Sequence, residues 1–520
     1  MYQWVRNFSV SQDDVEYLTN LLLERETPMT STELAIELVR RRIQAQQDAF
    51  EAQFQDTIVY DPAHKYEIGQ RLVFTQFDRR TATVVAVRVG DNPDFGEFDV
   101  IKVRFDNNKQ SKSPSEREFA ASLQQPHSLN GAADSMTATN GESLSPMDIL
   151  RETRGSIVRT VHMALVDNPV LTRVGGYWFP RELVMEVDIG TLHLAEAVLD
   201  MAQGGPLSTE EIISQIGPIG DAPMPLQTFS LNLAMSKDER FDEVGPGGEI
   251  LWYLVRMEPE GVRQVPVWLR YNEIPYNDDL ITDEMLDLET ELDDELTDID
   301  FEGKLKRSTT TLIYPHRRAG TLPLNAKNRQ IFPQGRAQRI YVSLIDGLDG
   351  TIFNGWVVHE HKYVYGLLDY YTKHRLPIGA NLTIENGEED GSVIITHDAY
   401  RPRTEYIRVF VPSETQIAFE NKKRAIGTEY DDLMVIGIDD LAKLDKLVEA
   451  NKNKTLVTLL RSLLSELGKL TPQGTTHAVT LYSALNVLRR CPPGAVFAML
   501  QANPDFEHVG NHYWKLSESE

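Results

Sequence analysis

The chain has 520 residues, 41% of them hydrophobic, with one cysteine and a formal net charge of −26. That length predicts several domains, and the lone Cys491 excludes a disulfide framework or a cysteine-built metal site. The acidic balance argues against nonspecific polyanion binding by the chain as a whole. No run of about 18 apolar residues predicts a membrane span, and the N-terminus lacks the charged-then-apolar layout of a signal peptide. A cytoplasmic place, the nucleoid included, is expected.

In chain order, Ser11–Gln46 carries apolar residues at helical spacing (Val15, Leu18, Leu21, Leu22, then Leu34, Ile36, Leu38), which predicts two helices joined near Pro28, with Thr30 or Ser31 capping the second. From Tyr66 to Phe105 the pattern changes to period two, rich in β-branched and aromatic residues, and predicts a small antiparallel barrel within 54–121. Residues 122–146 are polar and poor in bulky side chains, which reads as a flexible linker. Helix returns over 147–165 and again over 191–237. Asp278–Glu302 then holds 13 carboxylates and no Lys or Arg, and Gly303–Ile345 holds nine Lys and Arg and no acid. The acidic run, within a linker over 263–302, is expected to resist forming a core. It would serve as a solvated spacer, or fold on contact and compete with DNA phosphates for the basic stretch. A β-rich block follows over 303–418, and 419–520 is largely helical.

One motif recurs: "NPVLTRVGGYWF" from Asn168, "ERFDEVGPGGEILWYL" from Glu239 and "NPDFEHVGNHYWKL" from Asn503. Each follows a helix, carries Val-Gly where a hairpin turn is needed, and returns on a strand bearing Trp178, Trp252 or Trp514, expected to anchor the hairpin on the preceding helices. Helices followed by such a hairpin predict winged helix-turn-helix modules. The fold class is therefore read as α+β multidomain: repeated winged helices, a small barrel and a β-pseudobarrel. The first module has two readings. Either 1–53 and 147–182 form one winged helix split by the barrel, or the N-terminal helices form their own hairpin. The second module is assigned to 183–262.

The middle copy, with "PLSTEEIISQIG" before its hairpin, resembles the HARE-type helix-turn-helix family found in the RNA polymerase delta subunit, in chromatin-associated proteins and in restriction-modification proteins. The resemblance covers about 65 residues and implies a winged fold and a DNA or transcription context. Tyr66–Phe105, opening on Gly69, is similar to the small KOW- or Tudor-like barrels of transcription-linked proteins, although Arg71, Arg79, Arg80, Arg88, Lys102 and Arg104 balance its acids and leave a neutral surface as the alternative. The block from Asn328, with its Asp-Gly turn, Trp356 strand, "YGLLDYYTKHRL" helix and Leu376–Gly379–Leu382 exit, resembles the pseudobarrel DNA-binding domains of plant transcription factors and restriction-enzyme effector modules. Where that family has Gly-Asp, this chain has Gly379-Ala380.

The resemblance to the pseudobarrels implies DNA-facing cations at Arg317, Arg318, Lys327, Arg329, Arg336 and Arg339, residues suited to phosphates and guanine edges; pairing with the neighbouring acidic run is the alternative. In the first module Arg151, Arg154 and Arg159 sit on the segment expected to read DNA. The corresponding segments of the other two carry only Lys237 or no charge, which suits protein contact. No nucleophile elbow or phosphate-cradling glycine loop is present. His359 and His361, expected on one strand face by their spacing, lack a third ligand, so neither a metal nor another cofactor is expected. The function expected is nonenzymatic DNA binding in transcription or DNA restriction and defence. The alternatives are an RNA polymerase-associated acidic factor like the delta subunit, and a DNA-acting enzyme with unrecognised catalytic residues.

Overall fold

The computed structural model describes residues 3–54, 57–74, 77, 80–92, 96–106, 116–125, 145–297, 299, 301, 303–389, 391–413 and 416–517. Most of the predicted linker (126–144) and Arg79 lie outside them. The described chain is a mixed α+β structure that divides into two compact units, Met1–Val184 and Met185–Glu520.

In the first unit, α1 (Gln12–Arg25) begins at Ser11, whose side chain and that of Asp14 cap each other's backbone amides. A two-residue strand β1 (Met29–Thr30) leads into α2 (Ser31–Phe54), capped by Thr30 and Glu33 in the same reciprocal way. Five strands then form one sheet in chain order, β2 parallel to β3 and the rest an antiparallel meander: β2 (Ile58–Val59), β3 (Arg71–Phe74), β4 (Arg80–Val89), β5 (Asp99–Phe105) and β6 (Glu116–Ala121). The sheet curls around Tyr60, Phe74, Phe105 and Phe119. Its last strand is stitched to its first loop by amides of Ser122 and Leu123 donating to His64 and Pro62 carbonyls, both at 2.9 Å. Two helices follow, α3 (Pro146–Glu152) and α4 (Ser156–Val166), and then the hairpin β7 (Leu171–Val174) and β8 (Tyr177–Pro180). The single helix expected here breaks at Arg154 (φ 47°) and Gly155 (φ 76°), both left-handed. The N-terminal helices do not stand alone. Met29 pairs with Trp178 in the sheet β1-β8-β7, and Leu18, Leu22, Leu34 and Leu38 share one core with Ile149, Ile157, Val161 and Leu165.

The second unit opens with the same succession: α5 (Ile189–Met201), β9 (Leu207–Ser208), α6 (Thr209–Ile216), α7 (Met224–Met235), β10 (Phe241–Glu243) and β11 (Leu251–Leu254). Here Val-Gly serves the hairpin differently. Gly175 and Gly510 have positive φ, but Gly245 does not; a Cβ on it would lie 2.5 Å from the Glu249 carbonyl oxygen. After α8 (Asp283–Leu292), seven strands form one curled sheet in the order β12-β17-β18-β14-β15-β16-β13. They are β12 (Arg307–Thr311), β13 (Thr321–Pro323), β14 (Arg339–Asp346), β15 (Ile352–Val358), β16 (Tyr363–Tyr365), β17 (Asn381–Asn386) and β18 (Ser392–Thr396). Only β14 and β18 run parallel. A ribbon, β19 (Ala399–Phe410) and β20 (Phe419–Thr428), joins β21 (Ile436–Ile438). The chain ends with α9 (Leu441–Asn451), α10 (Leu456–Gly468), β22 (Thr476–His477), α11 (Ala478–Leu488), α12 (Pro493–Ala502), β23 (Phe506–Gly510) and β24 (Tyr513–Leu516).

Three times, then, a helix, a two-residue strand, further helices (two in the second and third copies; α2, α3 and α4 in the first, with the five-stranded sheet between α2 and α3) and a hairpin close a three-stranded sheet, and each time the first residue of the short strand pairs with the tryptophan: Met29 with Trp178, Leu207 with Trp252, Thr476 with Trp514. All three indoles are buried.

The acidic run is not the solvated linker its composition predicts. Within it α8 buries Met285 and Glu289, and Asp293, Asp294 and Glu295 are buried behind it. Arg490 donates to Asp294 and, at 2.7 Å, to Glu295, while Tyr482 donates to Asp294. Burial by itself would raise the Glu295 carboxyl, but the Arg490 guanidinium and His316 outweigh it and hold it well below the usual range. A carboxylate run thus enters a core because cations from distant positions meet it there.

Candidate nucleic-acid interface

The three repeats differ in what covers their last helix before the hairpin. In the third, Pro493 to Ala498 and Leu500 on α12 are all buried. A Cβ on Gly494 would stand 2.7 Å from both the Glu289 carboxylate and the Tyr276 hydroxyl, so α8 and the segment before it lie directly across this helix. In the second, α7 turns its polar side chains inward. Gln227 accepts from the Ile219 amide at 2.7 Å, Ser230 accepts from the Met185 amide at 3.0 Å, and Asn232 accepts from the Trp252 indole at 2.8 Å. Its hairpin is fused to the seven-stranded sheet: the Gly247 amide donates to Gln334, the Tyr341 amide donates to Val244, and Tyr253 packs edge-on against Trp356. Neither helix has a face with which to enter a groove.

The first repeat is different. On α4 the buried residues are Ile157, Val161 and Leu165, one per turn, leaving Arg159, Met163 and Val166 exposed. Arg154 lies in the left-handed turn before α4 and Arg151 on the last turn of α3, both exposed. Among the described residues their one ion pair is Arg151 with Asp148 at 3.9 Å, and exposed Glu152 lies between Arg151 and Arg154 in the chain. The residue capping α4 is Gly155, which has no side chain to satisfy the first amides. An open helix N-terminus flanked by two arginines suits a phosphate.

The predicted cations of the β-rich block are mostly spent on the fold. Arg317 is half-buried and donates to the Leu376 carbonyl at 2.8 Å, and burial lowers its pKa. Arg318 pairs with Asp445 at 3.3 Å and covers Trp268, and Lys327 lies 3.9 Å from Asp293. Arg339 holds Asp242 at 3.2 Å and Glu258 at 3.0 Å. Burial, with Asp242 beside it, pushes the Glu258 carboxyl up to about 8 despite that arginine. Arg329 and Arg336 make no ion pair among the described residues, and of the six only Arg336 is exposed. The nine-cation stretch is therefore not one free positive surface. On the meander, Arg71, Arg88, Lys102 and Arg104 are each paired with an acid, and Arg80 lies over Phe105, in line with the neutral alternative.

Among the described residues no group of three or more His, Cys, Asp and Glu side chains is arranged to hold a metal, and no helix is long and apolar enough to cross a membrane. His359 and His361 lie in the turn after β15 rather than on one strand face. Cys491 is buried and its thiol is pushed up to about 12 by that burial, which leaves it protonated and inert as a nucleophile at neutral pH. The sequence reading passed over β19 and β20, where Arg401, Arg403 and Lys423 stand exposed beside Tyr400 and Tyr406; the signal was the alternation of aromatic and arginine in "YRPRTEY". No protein-family model, curated protein or solved structure matches the chain.

Proposed function

We propose that this is a nonenzymatic, multi-module DNA-binding protein in which the first winged helix makes the duplex contact and the second and third are architectural. The observation that carries this reading is the contrast among three copies of one topology. Only α4 keeps an exposed face, and only there do exposed arginines stand at a helix start without a side-chain cap, Arg489 and Arg490 before α12 being partly or fully buried. Arg159 faces outward on the helix that a winged helix lays in the major groove, while Arg151 and Arg154 flank the amides at its start. The cations of the seven-stranded sheet serve chiefly to join it to its neighbours. The resemblance to the delta subunit was carried by the middle copy's motif and by the order of that module then an acidic run. The acidic run folds into a core here, so only the motif still speaks for the polymerase-associated alternative, and the exposed arginines of the first repeat favour DNA binding.

The test uses the full chain with Arg151, Arg154 and Arg159 changed together to Ala. These side chains are exposed, so the fold should be kept, and duplex affinity at low salt should drop by at least tenfold. Undiminished duplex binding by the folded variant would move the contact elsewhere.

A further inference from the structure

We propose that the β19–β20 ribbon is a second nucleic-acid contact, specific for a single strand. The ribbon is held at both ends. Near Phe410 it runs parallel to β21 and buries Ile407, Val409 and Ile426 against Val435. At its other end the Glu429 amide donates to Asp398, the Asn381 amide donates to Glu429, and Tyr430 bridges to Ala380, which ties it to the seven-stranded sheet. Between these anchors it offers an exposed length of pleated backbone.

Two aromatic and cation pairs stand on that length. Tyr406, 69% exposed, lies directly opposite Lys423 in the register, with the ammonium 5.2 Å from the ring centre. Arg403 lies 5.1 Å from the Tyr400 ring centre. Tyr400 belongs to a bulge: Ala399 pairs with Thr428 but Arg403 with Ile426, so Tyr400, Arg401 and Pro402 together face Gly427. A side chain at Gly427 would begin 3.1 Å from both the Pro402 ring and the Tyr400 carbonyl oxygen, so glycine leaves the bulge its room. Arg401, in the bulge, is exposed.

Three exposed cations on the ribbon can meet a phosphate backbone. Arg401, Arg403 and Lys423 make no ion pair among the described residues. Of the nearby acids, Lys422 engages Glu420 and Asp439, and Arg424 engages Asp439; Glu405 lies opposite Arg424 in the register without an ion pair among the described residues, and Glu429 and Asp432 also lie near Tyr400. An exposed ring with a cation over it offers a base one stacking face and its phosphate one counterion, the combination that binds unpaired strands without sequence preference. In a duplex the base faces are already stacked on one another, so the ring selects a single strand.

The test measures full-chain binding to labelled oligo-dT, to oligo-U and to a duplex of equal length, at low salt. Tyr406→Ala is expected to weaken oligo-dT binding about tenfold, Tyr406→Phe to preserve it, and Lys423→Gln to weaken it and flatten its salt dependence, with duplex binding unchanged. The oligo-U arm separates an RNA from a DNA strand. No oligonucleotide binding by the wild type, or equal affinity for Tyr406→Ala, overturns the proposal, and so does an equal loss on the duplex. The triple arginine variant of the first unit should keep its oligonucleotide affinity, so failure of the duplex reading leaves this one standing.

Discussion

At the first residue of the helix that follows each short strand stand Ser31, Thr209 and Ala478. The first two are hydroxyls, and each accepts the indole N–H of its repeat's tryptophan: Trp178 to Ser31 at 2.9 Å, and Trp252 to Thr209 at 3.0 Å. In the third repeat Ala478 has no acceptor, and the Trp514 indole nitrogen is buried without a partner. An unmatched buried donor costs roughly 1–3 kcal/mol. Ala478→Ser should therefore stabilise the protein, by about 1 kcal/mol, seen as a higher urea midpoint at unchanged slope. A lower midpoint would mean the hydroxyl does not reach the indole. Trp252→Phe runs the other way, because it removes the indole donor that Thr209 and Asn232 share and leaves them only each other, and should destabilise by about 1 kcal/mol. The tryptophans and their hairpins were visible in the sequence as a repeated motif. Their partner residues were not, because a two-residue strand has too little period to be seen.

At the scale of elements, the acidic run shows where composition misleads. Thirteen carboxylates in a row read as solvent-facing because nothing nearby in the chain neutralises them. The neutralising arginine lies 196 residues beyond Asp294. Arg490→Met should leave Asp294 and Glu295 buried beside no guanidinium and cost on the order of 3–5 kcal/mol. Adding Asp294→Asn and Glu295→Gln should recover part of that loss in the same unfolding assay, and no recovery would deny the ion cluster its role. The basic stretch failed as a uniform surface for a matching reason, since its partners Asp242, Glu258 and Asp445 come from other elements.

The start of α11 should also respond to acid. His477 caps it through its ring nitrogen, and burial, with His512 adding to it against Asp431, pushes the imidazole down to about 4. In the unfolded chain the same group takes a proton near 6.5. Its contribution is therefore complete above about 6.5 and is lost as pH falls toward 4, where the unfolded state binds the extra proton. His477→Asn keeps a cap without that titration. It should unfold at lower pH than the wild type in an acid titration followed by circular dichroism; an unchanged midpoint would assign acid sensitivity to other groups such as His397.

For the whole molecule, a net charge of −26 and DNA binding are compatible only if the contact is local and the remaining acids are occupied or held away. The chain order of helices and strands was largely legible from periodicity, and so were Arg151, Arg154 and Arg159 as exposed cations. The first of the three repeats already stood out by its arginines, but what covers the helix of the third was not legible, because α8 comes from a segment that reads as unstructured. The most direct measurement is the salt dependence of duplex affinity for the full chain, its triple alanine variant at Arg151, Arg154 and Arg159, and a Lys327→Gln, Arg339→Gln control. Each lost phosphate contact lowers the slope of log affinity against log salt by about 0.9. The account predicts a slope shallower by about 2–3 for the triple variant and an unchanged slope for the control. A triple variant with the wild-type slope, or a control that loses it, would contradict the assignment of DNA contact to the first repeat.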